Sequence, residues 1–142
     1  RYRSLWERNA FRYLDTKATW VKWWNSEETV IGYICATDNK PHRYYMDLTI
    51  RTTSGRTLLV EIKPSAQTRP PKRKQLNEAM TYMKNTSKWK YAQKFCDERG
   101  YEFQIWTENE LEAMGIKTMT LKYKASKTKT GKRIWKSLKK RV

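Results

Sequence analysis

The spacing of apolar residues predicts a helix at the start of the chain, followed by several strands. Over residues 4–15, Ala10 and Leu14 share one helical face, and Ser4 with Glu7 has the form of a capping box. Four short runs rich in Thr, Val, Ile, Tyr and Trp then predict strands near residues 19–24, 30–35, 44–51 and 57–63.

The second half of the chain predicts helices around one further strand. Pro70-Pro71 ends any preceding strand, and apolar residues at helical spacing follow it. The predicted elements are a helix over 76–83, a second helix capped by Ser87 and ended by Gly100, a strand over 101–106, and a short helix to about Met114 that opens with a Thr107–Glu110 capping box.

The turn between the last two strands of the first group decides which side chains share a face. A three-residue loop at 53–55, with Gly55 in the left-handed conformation, places Asp47 opposite Glu61 on neighbouring antiparallel strands. A two-residue loop would place Asp47 opposite Ile62, and the acid would then lie on the other face. The glycine at the third loop position favours the first register.

Composition indicates one basic domain that binds a polyanion. The 142-residue chain carries a formal charge of +17, for which nucleic acid is the usual partner. On composition alone a ribosomal-type RNA-coating protein is favoured over an enzyme. Cys35 and Cys96 match no metal-ligand spacing and are predicted to be reduced, buried thiols. With no membrane-spanning run or signal sequence evident, an intracellular, non-secreted protein is expected.

The positive charge is concentrated at the C-terminus. From Ala113 onward there is no acidic residue, and Lys and Arg accumulate. We divide the chain into a domain over 1–116 and a basic tail over 117–142. The tail is predicted to bind DNA phosphates, with Lys132 and Arg133 among the contacts, or an acidic protein; a solvated tail without a partner is the alternative.

Asp47, Glu61 and Lys63 are the residues with the clearest potential for chemistry. Two opposed carboxylates on a sheet repel each other unless a cation lies between them, and Mg²⁺ takes one or two protein carboxylates together with waters and phosphate oxygens. A lysine two residues after Glu61 could then orient water or stabilise developing charge. The alternative is a solvated strand face in which Lys63 forms a salt bridge with the acids.

Three motifs follow one another along the chain: Tyr2-Arg3-Ser4-Leu5-Trp6-Glu7, Arg43-Tyr44-Tyr45-Met46-Asp47 and Val60-Glu61-Ile62-Lys63-Pro64. Together they resemble the PD-(D/E)xK nuclease superfamily, and in particular the branch of TnsA-type transposon endonucleases. A later segment, 95–108, is similar to that branch's helix, last core strand and Thr-Glu exit, so the resemblance extends to about Met114.

The resemblance implies an α/β, restriction-endonuclease-like core: a helix, a three-stranded antiparallel meander, helices and a further strand, forming a mixed sheet flanked by helices. It implies that Glu7, Asp47 and Glu61 bind Mg²⁺, with Mn²⁺ as the alternative ion, and that Lys63 is catalytic. Met46 stands where the superfamily name has proline. Glu61 stands where the transposon enzymes tend to have Gln, so one or two metals remain open.

Within this branch, the chain is similar to small basic nucleases that complete the heads of large contractile-tailed phages. That likeness implies a metal-dependent endonuclease that processes or secures the packaged end of double-stranded DNA. Portal or neck proteins are then expected partners, and the virion or host cytoplasm is the expected location. The alternatives are a non-catalytic DNA-binding or capping protein and a TnsA-like transposition subunit.

Several other polar residues have two interpretations at this stage. Glu7 could serve the capping box instead of a metal. A basic cluster follows Lys63 and comprises Arg69, Lys72, Arg73 and Lys74. It could contact phosphate, or it could be the solvated start of a helix. His42, the single histidine, follows a predicted turn at 38–41 and is expected at the surface or on DNA.

Overall fold

A computed structural model describes residues 2–72 and 75–119, and the side chains from Leu5 onward within them. The helices are α1 (Tyr2–Thr16), a short 3-10 helix (Ser65–Thr68), α2 (Leu76–Arg99) and α3 (Glu108–Ala113). The strands are β1 (Val21–Asn25), β2 (Val30–Ile34), β3 (Pro41–Tyr45), β4 (Leu48–Thr52), β5 (Thr57–Ile62) and β6 (Glu102–Trp106).

The central sheet has the strand order β1-β4-β5-β6. Strand β4 runs antiparallel to both β1 and β5, whereas β6 runs parallel to β5 after the crossover through α2. Helices α1 and α3 pack on one face against Leu58, Val60 and Ile62. The other face, which carries Leu59, is covered by α2 and the β2–β3 hairpin. The predicted mixed α/β sheet flanked by helices is confirmed.

The predicted register between β4 and β5 is also confirmed. Leu48 pairs with Val60 and Arg51 with Thr57, so one further residue along the ladder sets Asp47 opposite Glu61. Gly55 has φ +91°, in the region that favours glycine, and the amide of Thr52 donates to the carbonyl of Arg56 at 2.8 Å. The loop chemistry therefore positions the two acids.

The strand predicted over 44–51 is two strands in two different sheets. Residues up to Tyr45 pair with β2 in a separate hairpin, and residues from Leu48 enter the central sheet between β1 and β5. Met46 makes the crossing: its amide donates to the carbonyl of Thr29, and its carbonyl accepts from the amide of Glu27. Asp47 therefore lies at a bend between the two sheets, directly before β4.

The two predicted helices at 76–83 and from Ser87 onward are one continuous helix, α2. The Ser87 hydroxyl does not cap a new helix; it donates to the carbonyl of Met83 one turn earlier and accepts from the amide of Ala36. Both bonds hold Ser87 inside the helix and tie it to the hairpin. The predicted end at Gly100 is confirmed by its left-handed φ of +71°.

The other helix boundaries differ in how well their caps were predicted. Helix α1 begins at Tyr2, so Ser4 is inside the helix and the prediction that it caps the N-terminus is wrong. The capping box of α3 is confirmed, because Thr107 accepts from the amide of Asn109 and Glu110 reaches back to the amide of Thr107. In residues 2–72 and 75–119, none of the helices has both the length and the apolar composition needed to cross a bilayer.

Candidate active site

Asp47 is fixed at the start of β4 by the backbone of the neighbouring strand. Its Oδ2 accepts a hydrogen bond from the amide of Ile62 at 2.7 Å, and its side chain is nearly buried. A carboxylate in this setting needs such donors because it has lost its water. The bond fixes the direction of one carboxylate edge at the point where β5 ends.

Glu61 lies beside Asp47 and is held by two side chains. The Tyr44 hydroxyl, from β3, donates to its Oε1, and Lys63 Nζ lies 3.0 Å from its Oε2. Only 4% of the Glu61 side chain and 12% of the Lys63 side chain are exposed, so this is a buried ion pair. The structure therefore brings Asp47, Glu61 and Lys63 to one end of the β4–β5 ladder, as the hairpin register required.

The loop after Lys63 is anchored to the start of α3. The amide and the hydroxyl of Ser65 donate to the two oxygens of Glu108, at 2.8 and 2.6 Å. Burial pushes the pKa of Glu108 up, but the Ser65 bonds and the charge of Arg69 outweigh it, so the pKa is lowered. The amide of Lys63 also donates to the carbonyl of Trp106 at 3.0 Å. These bonds hold the backbone around Lys63 in place.

A groove of about 790 Å³ opens between this loop and the first half of α2. Arg69 and Lys72 line it together with Glu78 and Tyr82, so two of the predicted phosphate contacts border a space whose lining begins three residues after Lys63. The other predicted DNA contacts, Arg73, Lys74, Lys132 and Arg133, lie outside the described residues. The DNA-binding role of all six stays a prediction.

Glu7 is half-buried on α1, next to Trp6, which packs in the core. Its helix covers one face of the sheet, whereas Glu61 meets Tyr44 on the opposite, α2 face. The three predicted carboxylates therefore come from elements on both faces of the central sheet. With Ser4 inside the helix, the capping role of Glu7 is removed, and its role as a metal ligand stays a prediction.

Comparison with known proteins identifies the family. The family model described as "TnsA-like endonuclease N terminal" matches residues 19–108. The chain belongs to the TnsA-like endonuclease family. It is also 40% identical over 126 residues to the head completion nuclease of Enterobacteria phage T4, covering 82% of this chain and 83% of that protein. No solved structure matches the chain significantly. Membership implies that this TnsA-like endonuclease cleaves DNA and uses a divalent metal.

The residues of this endonuclease fit such a metal. Among the described residues, Glu61 Oε2 is a buried oxygen whose one partner is the Lys63 ammonium, in an ion pair 3.0 Å long. Its neighbour is a second nearly buried carboxylate, Asp47. An all-oxygen pair of this kind is the donor set preferred by Mg²⁺. Asp47 and Glu61 are therefore the candidate ligands, and their binding of the ion stays a prediction.

Sequence reasoning missed the role of Tyr44. The residue belongs to the motif before Asp47, but one tyrosine among nine gives no sign that its hydroxyl reaches a carboxylate on another sheet. It is buried on the hairpin, with Lys88 Nζ 5.3 Å from the centre of its ring. Tyr44 thus links the hairpin and α2 to Glu61 and positions that carboxylate.

Replacing Tyr44 with phenylalanine tests this link. We expect DNA cleavage to slow by about tenfold, because Glu61 loses a donor worth about 1.4 kcal/mol to the orientation of the site. Initial rates on plasmid DNA measure the effect. Tyr45→Phe is the matched control, since Tyr45 is the next residue and is 47% exposed. Equal rates for Tyr44→Phe and the wild type would show that the hydroxyl does not position Glu61.

Proposed function

We propose that this protein is a Mg²⁺-dependent DNA endonuclease that acts in the completion of a phage head, where it processes or secures the packaged DNA end before tail attachment. The observation that carries the proposal is the buried group of Asp47, Glu61 and Lys63 at the end of the β4–β5 ladder, followed by a loop whose Arg69 and Lys72 line a groove. The likeness to a head completion nuclease over most of both chains supports the biological setting.

Each residue of the group has a distinct part in the proposed reaction. A divalent cation held there would supply positive charge to the scissile phosphate and would favour deprotonation of the attacking water. Asp47, oriented by the amide of Ile62, and Glu61, oriented by Tyr44, provide the carboxylate oxygens. Lys63 forms an ion pair with Glu61 and can exchange it for a contact with the attacking water or a phosphate oxygen. Arg69 and Lys72 bind the flanking backbone phosphates.

Supercoiled plasmid provides the direct test. We expect the purified full-length protein to nick or linearise plasmid with Mg²⁺ or Mn²⁺, to stop when EDTA is added, and to resume when Mg²⁺ is restored in excess. Asp47→Asn, which keeps the shape of the side chain, should be inactive at every metal concentration. Cleavage that persists in EDTA would contradict metal dependence. Binding without cleavage under all conditions would support a non-catalytic capping protein.

The role in the phage is tested separately by complementation. A phage that lacks this protein is expected to accumulate DNA-filled heads without tails, and the wild-type gene should restore infectious particles. The Asp47→Asn gene then shows whether the nuclease site is used in assembly. Full rescue by the inactive variant would contradict a catalytic role in head completion while leaving the enzyme assignment in place.

A further inference from the structure

The end of the β2–β3 hairpin brings three different ligand atoms together, on residues that do not belong to the nuclease group. The sulfur of Cys35, a carboxylate oxygen of Asp38 and a ring nitrogen of His42 all lie within 4.8 Å of one another. Asp38 Oδ2 and His42 Nε2 are 2.8 Å apart. Of the described residues, this is the one group of three or more Cys, His, Asp or Glu side chains that converges so closely.

The backbone of the loop holds these side chains in place without any ion. Tyr33 pairs with His42 across the hairpin, and the amide of Cys35 donates to the carbonyl of Lys40 at 3.0 Å. Asn39 has φ +61°, and its amide donates back to the carbonyl of Cys35 at 2.7 Å. This tight turn folds Asp38 over the hairpin end between Cys35 and His42. The arrangement is therefore preorganised by main-chain bonds.

The ligand chemistry indicates a transition metal. A thiolate, an imidazole and a carboxylate form a set that Zn²⁺ binds in tetrahedral sites, whereas Mg²⁺ prefers oxygen ligands alone. The thiolate and the carboxylate together would balance the charge of a divalent ion. Cys35 is buried, but the side chains of His42 and Asp38 are 39% and 40% exposed. An ion can thus enter from solvent, and a water can complete the coordination.

We propose that Cys35, Asp38 and His42 form a zinc-binding site that clamps the end of the β2–β3 hairpin. The hairpin carries Tyr44, and a row of ring contacts runs from His42 through Tyr33 to Tyr44, with centroid distances of 5.6 and 6.3 Å. Zinc at the hairpin end therefore stabilises the element that positions Glu61. The site is separate from the nuclease carboxylates in both residues and preferred ion, and it does not depend on the proposed function.

Co²⁺ serves as the spectroscopic probe, because it binds in zinc sites and shows an absorption band when a thiolate is one of its ligands. Full-length protein without an affinity tag, stripped with chelator, is titrated with Co²⁺. We expect one equivalent to produce a thiolate-to-cobalt charge-transfer band that Zn²⁺ abolishes and Mg²⁺ does not. His42→Ala and Asp38→Asn, at exposed positions that tolerate change, should weaken binding by about tenfold or more. Cys35→Ser should remove the band entirely.

Two control variants separate this site from the other thiol and from the nuclease carboxylates. Cys96→Ser removes the other buried thiol and should leave the band unchanged. Asp47→Asn alters the nuclease site and should also leave it unchanged. No charge-transfer band in the wild type, or a band that survives His42→Ala and Asp38→Asn with undiminished affinity, would overturn the proposal. Those two variants decide the matter even where Cys35→Ser, at a core position, fails to fold.

Discussion

Replacing Lys63 with methionine is expected to lower the rate of DNA cleavage by about a thousandfold while leaving duplex affinity within about twofold. The variant keeps the apolar stem and loses the ammonium that lies 3.0 Å from Glu61 Oε2. Removal of one group that stabilises transition-state charge costs roughly 10²–10³ in turnover, and the loss of a group that also orients the carboxylate places the effect at the upper end. Single-turnover cleavage at saturating protein measures the chemical step apart from binding.

The same substitution should also lower the free energy of unfolding. Without Lys63, Glu61 is a buried carboxylate with no counter-charge, a change that typically costs about 3–5 kcal/mol. Urea denaturation of Lys63→Met should show this loss, and the double variant Lys63→Met, Glu61→Gln should recover most of it because the glutamine is neutral. Both variants should remain inactive. Recovery of cleavage in the double variant would show that Lys63 acts only by supporting the fold.

A matched control keeps this test specific to the site. Lys90→Met removes an exposed charge from α2 and should leave cleavage and stability close to wild type. If Lys90→Met and Lys63→Met slowed cleavage equally, the effect would come from the loss of a positive charge in general. A thousandfold difference between them would locate the chemistry at the end of β5.

The pairing register of β4 with β5 was predictable from the sequence because the residues of the connecting turn determine it. Gly55 at the third position of a three-residue loop favours one pairing, and from it the positions of Asp47 and Glu61 follow by counting. Thr107 with Glu110 and Gly100 were predictable for the same reason, since a cap depends on residues a few positions apart. Such local signals fix the ends of elements and the residues that face each other across a turn.

Features that depend on contacts between distant segments were not predictable. Ser87 is a residue type that commonly caps helices, but its bond to the amide of Ala36, on a separate hairpin, helps to hold it inside α2. The strand over 44–51 is divided because Met46 bonds to Thr29 and Glu27, and no local breaker marks the place. The hydroxyl of Tyr44 meets Glu61 only because of that division. Tertiary hydrogen bonds thus account for these two errors and for the contact between Tyr44 and Glu61.

Removing residues 120–142 is expected to weaken duplex binding by on the order of 100-fold at low salt and to flatten its salt dependence. This segment carries ten Lys and Arg and no acid, and the logarithm of affinity falls with the logarithm of salt by about 0.9 for each phosphate neutralised. The truncation should follow Met119, because the indole of Trp6 donates to the carbonyl of Thr118 and Asn9 donates to that of Lys117. Those contacts keep the fold intact.

A variant with all ten of these basic residues changed to glutamine separates charge from length. It should show the same reduced salt slope as the truncation, measured by fluorescence anisotropy over about 50–200 mM salt, a range in which about six phosphate contacts change affinity roughly a thousandfold. At saturating DNA, both variants should cleave at the wild-type rate, because Asp47, Glu61 and Lys63 are untouched. An unchanged slope in both would mean that the tail does not bind DNA and that its charge serves an acidic protein partner.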